Sequence, residues 1–521
     1  MARRRGARGG RRPRARHQRR ARRRGGAQAG GPRRRAGRRV TVWLGIDVGT
    51  SSVKALALAD DGTVLARGHA AHPTRRDGDR VEQDPDHWVR GLAAVVAQCA
   101  AAGVPDGVAV VGHTPSLVLA DAERRPVLPC LTWQDVRAGD EARELARDFP
   151  DARALVGTEL PWGPSYLPAK LLWAARHAPD ALDAARWLLQ PKDHVGYVLT
   201  GVAATDPWSS KGLCRVDAGA RPVGPVLAAA GTDPSLLPPR RDPWSLLGRV
   251  DSAGAAASGL PEGVPVAVGW SDALAGMAGI GAFEEPSAFL LTGTSQIAGL
   301  TGAEPAGPTP LLTVPATCAP LPICYGPTQA GGAALAWAAA LLGREPDDLV
   351  ALAMTADPAA VPRFLPYLDG ERAPLWRPDV RGVLQDLGSA AGPAEVARAV
   401  MRGVALSTRH VLSTAAEATG VPAGPVHVGG RSAAQPEWTR VQRETLGRPL
   451  VAHREAETAA LGAAVLAAAA VTGDALGTCS RRLGGRSGVE HPDRTEIRTG
   501  AELYEKYLYD VKAELSRRAP A

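Results

Sequence analysis

Residues 44–62 read LGIDVGTSSVKALALADDG, and the fold follows from how that stretch is parsed. Apolar runs at 43–47 and 53–59 flank Val48-Gly49-Thr50-Ser51-Ser52, and Asp60-Asp61-Gly62-Thr63 turns the chain into a third run at 64–70. Short apolar runs bounded by Gly, Asp and Ser are strands, because those residues adopt turn geometry and interrupt regular backbone pairing. The segment is therefore a predicted β-meander with a glycine-hydroxyl turn at its head. Helical character follows at 85–102, behind the cap-like Asp84-Pro85. Strands are expected again at 108–112 and 116–121.

The same strand-turn-strand pattern returns downstream, where 288–292 leads into Gly293-Thr294-Ser295 and then 296–300. A Gly-Thr-Ser turn in a matching setting 244 residues later predicts two related α/β domains. The boundary falls at Glu284-Glu285-Pro286, which divides the chain into 40–284 and 285–521. Farther on, a helix is expected at 394–419 with Gly420 ending it, a strand at 426–428 entering Gly429-Gly430, and a small-residue helix at 457–472 before Gly473. At 521 residues the chain exceeds what one core usually supports, which agrees with two domains.

The formal charge of +9 hides an asymmetry. Of 62 basic residues, 18 are Arg within 1–39, so the remaining 44 face 53 acidic ones and the body carries −9. The arm 1–39 has almost nothing to bury and is expected to be disordered. It is a solvated tail, upstream sequence included ahead of the true start, or a polyanion-binding segment, and the acidic body disfavours nucleic acid as the main partner. The longest apolar stretch, 459–471, is too short for a membrane span, which needs about 20 residues. Six scattered cysteines and eleven histidines show no metal-ligand spacing, so reduced thiols and a cytoplasmic location are expected.

Phosphoryl transfer needs phosphate-binding donors, a carboxylate for Mg²⁺ and a base aimed at the attacking hydroxyl. Asp47 ends an apolar strand two residues before Gly49, where a Mg²⁺-directed carboxylate and an Asx-turn residue are both possible. The turns Gly49-Thr50-Ser51 and Gly293-Thr294-Ser295 can offer N–H groups and hydroxyls to phosphate from two sides. Neither is a Walker A sequence. Asp272, where a strand empties into small residues, is either a base or a helix cap.

Several motifs follow one another in order: LGIDVGTSSVKALALADDG, VEQDP from Val81, LTWQDVRA with Trp133, Asp135 and Arg137, AKLLW from Ala169 and LQPKDHVGYVLTG from Leu189. Next come Thr205-Asp206, the Asp272 segment, LLTGTS from Leu290, FLPYLDGERAP from Phe364, Gly429-Gly430 and ETAALGAA from Glu457. In this order they resemble the FGGY family of carbohydrate kinases. The resemblance implies two actin-like (ribonuclease H-like) ATPase domains around a central cleft, with ATP and Mg²⁺ as cofactors. It implies Asp272 as catalytic base and Asp47 at the metal. Gly49, Thr50, Ser51, Lys54, Gly293, Thr294, Ser295, Gly429, Gly430 and Arg431 would lie at the nucleotide. Gln83, His113, Thr114, Pro115, Trp133, Asp135 and Asp272 would lie at the sugar.

Two departures bear on the substrate. Gly112-His113-Thr114-Pro115-Ser116 stands where xylulose kinases of the family usually read GQMHG, and GERAPLW at 370–376 looks more like the gluconate kinase branch. Arg431 occupies a position that is usually a third glycine. The expected function is phosphorylation of a ketose such as xylulose, with a sugar acid or polyol as alternative and a catalytically silent sugar-binding protein as the reading from another class. The expected partners are a small-molecule sugar or polyol and a second copy of the chain in a homodimer, with no membrane and no nucleic acid.

Overall fold

The meander forms as expected and becomes the edge of a larger sheet. The computed structural model describes residues 40–518 apart from Pro161, Ala218 and Ala423; the Arg-rich arm lies outside the described residues. The first sheet contains β1 (Val42–Val48), β2 (Ser52–Ala59), β3 (Val64–Ala71), β4 (Gly107–Gly112), β5 (Leu246–Arg249) and β6 (Pro265–Ala267), in the order β5-β6-β4-β1-β2-β3. The second contains β7 (Ala288–Thr292), β8 (Gln296–Thr301), β9 (Leu312–Val314), β10 (Ile323–Thr328), β11 (Val426–Gly430), β12 (Leu450–His453) and β13 (Arg486–Glu490), in the order β9-β10-β8-β7-β11-β12-β13.

The two sheets repeat one topology. In each, the first strand pairs antiparallel with the second and parallel with a later strand on its other side: β1 with β2 and β4, β7 with β8 and β11. β1 is buried along its whole length, which is why it reads as a nearly unbroken apolar run. Duplication of the glycine-hydroxyl turn in the sequence is thus duplication of a whole sheet.

Two helices join the halves. They are α1 (Asp272–Gly279), which leaves the first sheet, and α2 (Thr458–Thr472), which follows the second. Each is built from small residues, so their backbones approach closely. A Cβ on Gly462 would lie 1.7 Å from the Ala275 carbonyl oxygen, and one on Gly45 of β1 would lie 1.9 Å from that of Ala460. The expected division at residue 284 separates the two sheets, yet α2 crosses it and packs on β1 and β4. Its run of Ala is therefore core on every side. Ser480 Oγ ties the same junction by donating to the Ala278 carbonyl at 2.7 Å.

The C-terminal helix Arg494–Arg517 buries Tyr507, with Tyr504 stacked on it. Tyr509 is 72% exposed, because five residues from Tyr504 it falls off the i, i+3 stripe.

Candidate active site

Asp47 stands near the C-terminal end of β1, opposite Val111 of β4, and Gly112 of β4 bridges in parallel to Ser271. Asp47 and Asp272 are therefore about two strand spacings apart in backbone terms, roughly 10 Å. They feel each other. Burial above all, and then the Asp272 charge, raise the Asp47 carboxyl to about 8 against the opposing pull of Lys54. Burial also raises Asp272, to about 6, while the bond from the Ala273 N–H at 2.7 Å holds it down. Asp272, the more acidic of the two, ionises first, and its charge then opposes loss of the second proton.

The alternatives left open by the sequence divide here. Ser271, not Asp272, caps α1 by accepting from the Leu274 N–H at 3.4 Å. Asp272 occupies the first helical position with partial access to the cleft. Asp47 forms no Asx turn either, because the Gly49 N–H that such a turn would use donates to Ser52 O, and the buried Asp47 Oδ1 has no hydrogen-bond partner among the described residues. An orphaned buried carboxylate oxygen fits a cation that takes one protein carboxylate and completes its shell with phosphate and water oxygens. Among the described residues no group of three or more His, Cys, Asp or Glu side chains could hold a metal unaided.

The first turn is held from three directions. Gly49 N–H donates to Ser52 O at 3.0 Å, and His72 Nε2 donates to Gly49 O at 3.0 Å from a ring whose pKa burial lowers. Thr50 O accepts from Gln83 Nε2 at 2.6 Å and from Thr74 Oγ1 at 3.2 Å. Trp133 Nε1 donates to Thr50 Oγ1 at 3.1 Å. Ser51 is exposed at the tip. His72 and Thr74 were missed by sequence reasoning, since nothing local marks a residue whose role is to brace a loop over twenty positions away.

The second turn opens onto a cavity of about 420 Å³, lined among others by Gly293, Thr294, Gly332, Asp347, Arg431 and Gln435. Gly332 and Ala333 N–H groups, at the start of the helix Gly332–Leu341, donate to Gly293 O and Thr294 O at 2.9 and 3.0 Å. The positive end of that helix thus faces the turn. Arg431 is exposed and makes no ion pair among the described residues, whereas Asp347 accepts from Gln435 Nε2 at 2.9 Å. A second cavity, about 230 Å³ near Val42, Val96 and Leu260, is mainly aliphatic and lies at the other end of β1 from Asp47.

Several of the expected residues are engaged elsewhere in the fold. Gly429 and Gly430 do not line the cavity. A Cβ on Gly429 would lie 2.5 Å from Ile280 Cγ2, and Gly430, at φ +94°, lets the chain cross 2.2 Å from Thr292 O, so both serve close packing. Lys54 Nζ is engaged by Glu457 Oε2 at 2.6 Å, across the junction between the halves. Ser295 is not among the cavity-lining residues either.

On the sugar side, Gln83 and His113 are buried in one network. Gln83 Oε1 accepts from Trp88 Nε1 at 3.0 Å and from His113 Nε2 at 3.2 Å, while His113 Nδ1 accepts from Ser116 Oγ at 2.8 Å. Burial holds the His113 pKa down at about 3, so the ring is neutral. Asp135 is wholly buried: it accepts from Val81 N–H at 2.7 Å and pairs with Arg137 at 2.6 Å, leaving it no access to the cleft. It shapes the turn that presents Trp133, which is 37% exposed. Lys170 Nζ reinforces that turn by donating to the carbonyls of Thr132, Pro115 and Leu131 at 2.6, 3.1 and 3.3 Å. Thr114 is partly accessible beside it, as is Pro115.

The FGGY family of carbohydrate kinases matches this chain, by its N-terminal domain over residues 42–279 and its C-terminal domain over 288–471. A xylulose kinase from Streptomyces coelicolor is 31% identical over 452 residues, covering 84% of this chain and 90% of its own. One from Escherichia coli is 30% identical over 438 residues, covering 82% and 89%. A crystal structure described as a xyloylose kinase from Brucella ovis superposes with a TM-score of 0.81 at 28% identity, covering 91% of this chain and 100% of that one.

Proposed function

The chain belongs to the FGGY family of carbohydrate kinases and is an ATP-dependent phosphotransferase with an alcohol group of a sugar as acceptor, and we propose that this acceptor is a ketose of the xylulose type. In this reading Asp272 takes the proton of the sugar hydroxyl, whose oxygen forms a bond to the γ-phosphorus as the bond to the bridging β,γ-oxygen breaks. The proton remains on Asp272 until it escapes to solvent, and ADP leaves. Asp47 would hold Mg²⁺, which when bound supplies positive charge to the phosphate oxygens. Thr50 and Ser51 on one side and Gly293 with Thr294 on the other would cradle the phosphates. The cavity beside Arg431 would take the adenosine, with Arg431 as a cation at its rim.

The observation that carries this reading is the pairing of buried Asp47 with partly accessible Asp272 in one cleft, Asp272 being held by its neighbour's N–H and raised to about 6, a value suited to a base near neutral pH. The gluconate-like GERAPLW segment argues less than its spelling suggests. Glu371 accepts from the N–H groups of Gln329 and Arg372 at 2.5 and 2.8 Å and from Ser407 Oγ at 3.0 Å, so it is satisfied within the second half. The six cysteines are buried and unpaired, which supports placing the reaction in the cytoplasm. No described helix is long and apolar enough to cross a membrane.

A coupled ADP-release assay over xylulose, ribulose, gluconate and glycerol tests the proposal. Xylulose should give the highest kcat/KM. Preference for gluconate would replace the substrate, and binding without turnover of any would favour a silent sugar-binding protein.

A further inference from the structure

Trp133 reaches across 83 residues of sequence to the first phosphate turn. An indole nitrogen can only donate, whereas a hydroxyl has one proton and two lone pairs. The 3.1 Å bond therefore makes Thr50 Oγ1 the acceptor, and that hydroxyl makes no other hydrogen bond among the described residues. Its proton remains available to an acceptor arriving from the cleft. Trp133 thus orients the hydroxyl as a donor.

The backbone around the pair is clamped, while the indole side chain is held within the described residues only by its bond to Thr50. Asp135 N–H donates to Thr132 O at 3.0 Å, which puts Trp133 and Gln134 at the tip of a tight turn. Buried Asp135 and Lys170 clamp that turn from beneath, and Gln83 and Thr74 clamp the Thr50 carbonyl. Removing one partner of such buried charged contacts is costly, so the turn has little freedom to swing away. The indole itself stays partly open, 37% exposed.

We infer that Trp133 is a positioning residue that couples the two substrates: a sugar resting on its exposed part fixes the indole, the indole N–H fixes Thr50 Oγ1, and Thr50 donates its proton to a phosphate oxygen of ATP. The inference rests on the reading of this cleft as the sugar and ATP site. By linkage the effect is reciprocal, each ligand binding more tightly when the other is present.

Calorimetric titration of the full chain with β,γ-imido-ATP and Mg²⁺, with and without D-xylulose, measures the coupling. In the wild type, xylulose should tighten the analogue by roughly fivefold or more. Trp133→Phe keeps a ring but loses the N–H, and Thr50→Val keeps the shape but loses the hydroxyl. Each should reduce the coupling by roughly two- to tenfold, the worth of one hydrogen bond. The double variant should be no worse than either alone, and Thr50→Ser should restore the wild-type factor. A purely structural role would move affinity without this pattern. Full coupling in Trp133→Phe, or losses that multiply in the double variant, overturns the inference, as does independent binding of both ligands by the wild type. A wild type that binds the analogue but not xylulose overturns the substrate reading and this inference with it, and one that binds neither overturns the reading of the cleft as well.

Discussion

The two glycine-hydroxyl turns sit on equivalent hairpins of a duplicated sheet, yet their surroundings have diverged. Asp47 precedes Gly49 by two residues, and Leu291 holds the same place before Gly293. The first turn is braced by side chains from three other segments and carries a carboxylate of raised pKa. The second is braced by the backbone of a helix N-terminus and opens onto a cavity. In the proposed function one scaffold would carry two tasks: the first copy would place a carboxylate at the metal, and the second would offer room and donors with no carboxylate in the turn to repel a triphosphate.

That asymmetry can be broken most severely at Asp272. Asp272→Asn should lower kcat by roughly 10²–10⁴-fold, the range of a lost general base, with the sugar KM little changed in the coupled assay. In the wild type, protonation of Asp272 should remove activity on the acid side. The carboxylate is the working form, so kcat/KM should fall as pH drops below about 6.

Asp47→Asn sharpens the comparison from the stability side. The folded protein holds this proton up to about 8 and the unfolded chain only to the ordinary 3.8, so stability declines as pH rises through that window. The variant should lose turnover yet melt higher than wild type at pH 8, by at least the about 1.4 kcal/mol that one pKa unit represents. Melting curves at pH 8 and pH 4 check this, the gain vanishing at the lower value.

The second half should respond more to shape than to charge. Gly430→Ala forces a side chain onto a φ of +94° and within 2.2 Å of Thr292 O, so denaturant unfolding should show a loss of about 2 kcal/mol or more. Arg431→Gly should have the smallest effect. A rise of about two- to threefold in the ATP KM at low salt, fading at high salt, would mark a screened cation at the cavity rim.

Much of this was legible along the chain because it is local. The meander, the helix behind Asp84, the second hairpin and the long helix Pro393–Thr419 stand where turn residues and apolar period predict them. Asp47 was conspicuous as a charge in an apolar strand. Other residues have partners that the sequence does not reveal. Asp135 and Gln83 looked like sugar contacts, but their side chains are spent on Arg137, Val81 and Thr50, and Lys54 is taken by a glutamate 403 residues away. Sequence spacing carries no information about which partner fills a side chain's bonding capacity.

By itself the sequence determined the strand-turn-strand units, their duplication and the two carboxylates, since these depend on residue type and near neighbours. Only the tertiary structure decided that Ser271 and not Asp272 caps the helix, that Asp47 keeps an orphaned oxygen, and that Trp133 touches Thr50. Those facts arise where distant segments meet, because burial and hydrogen-bond pairing are properties of the packed chain rather than of any stretch of it.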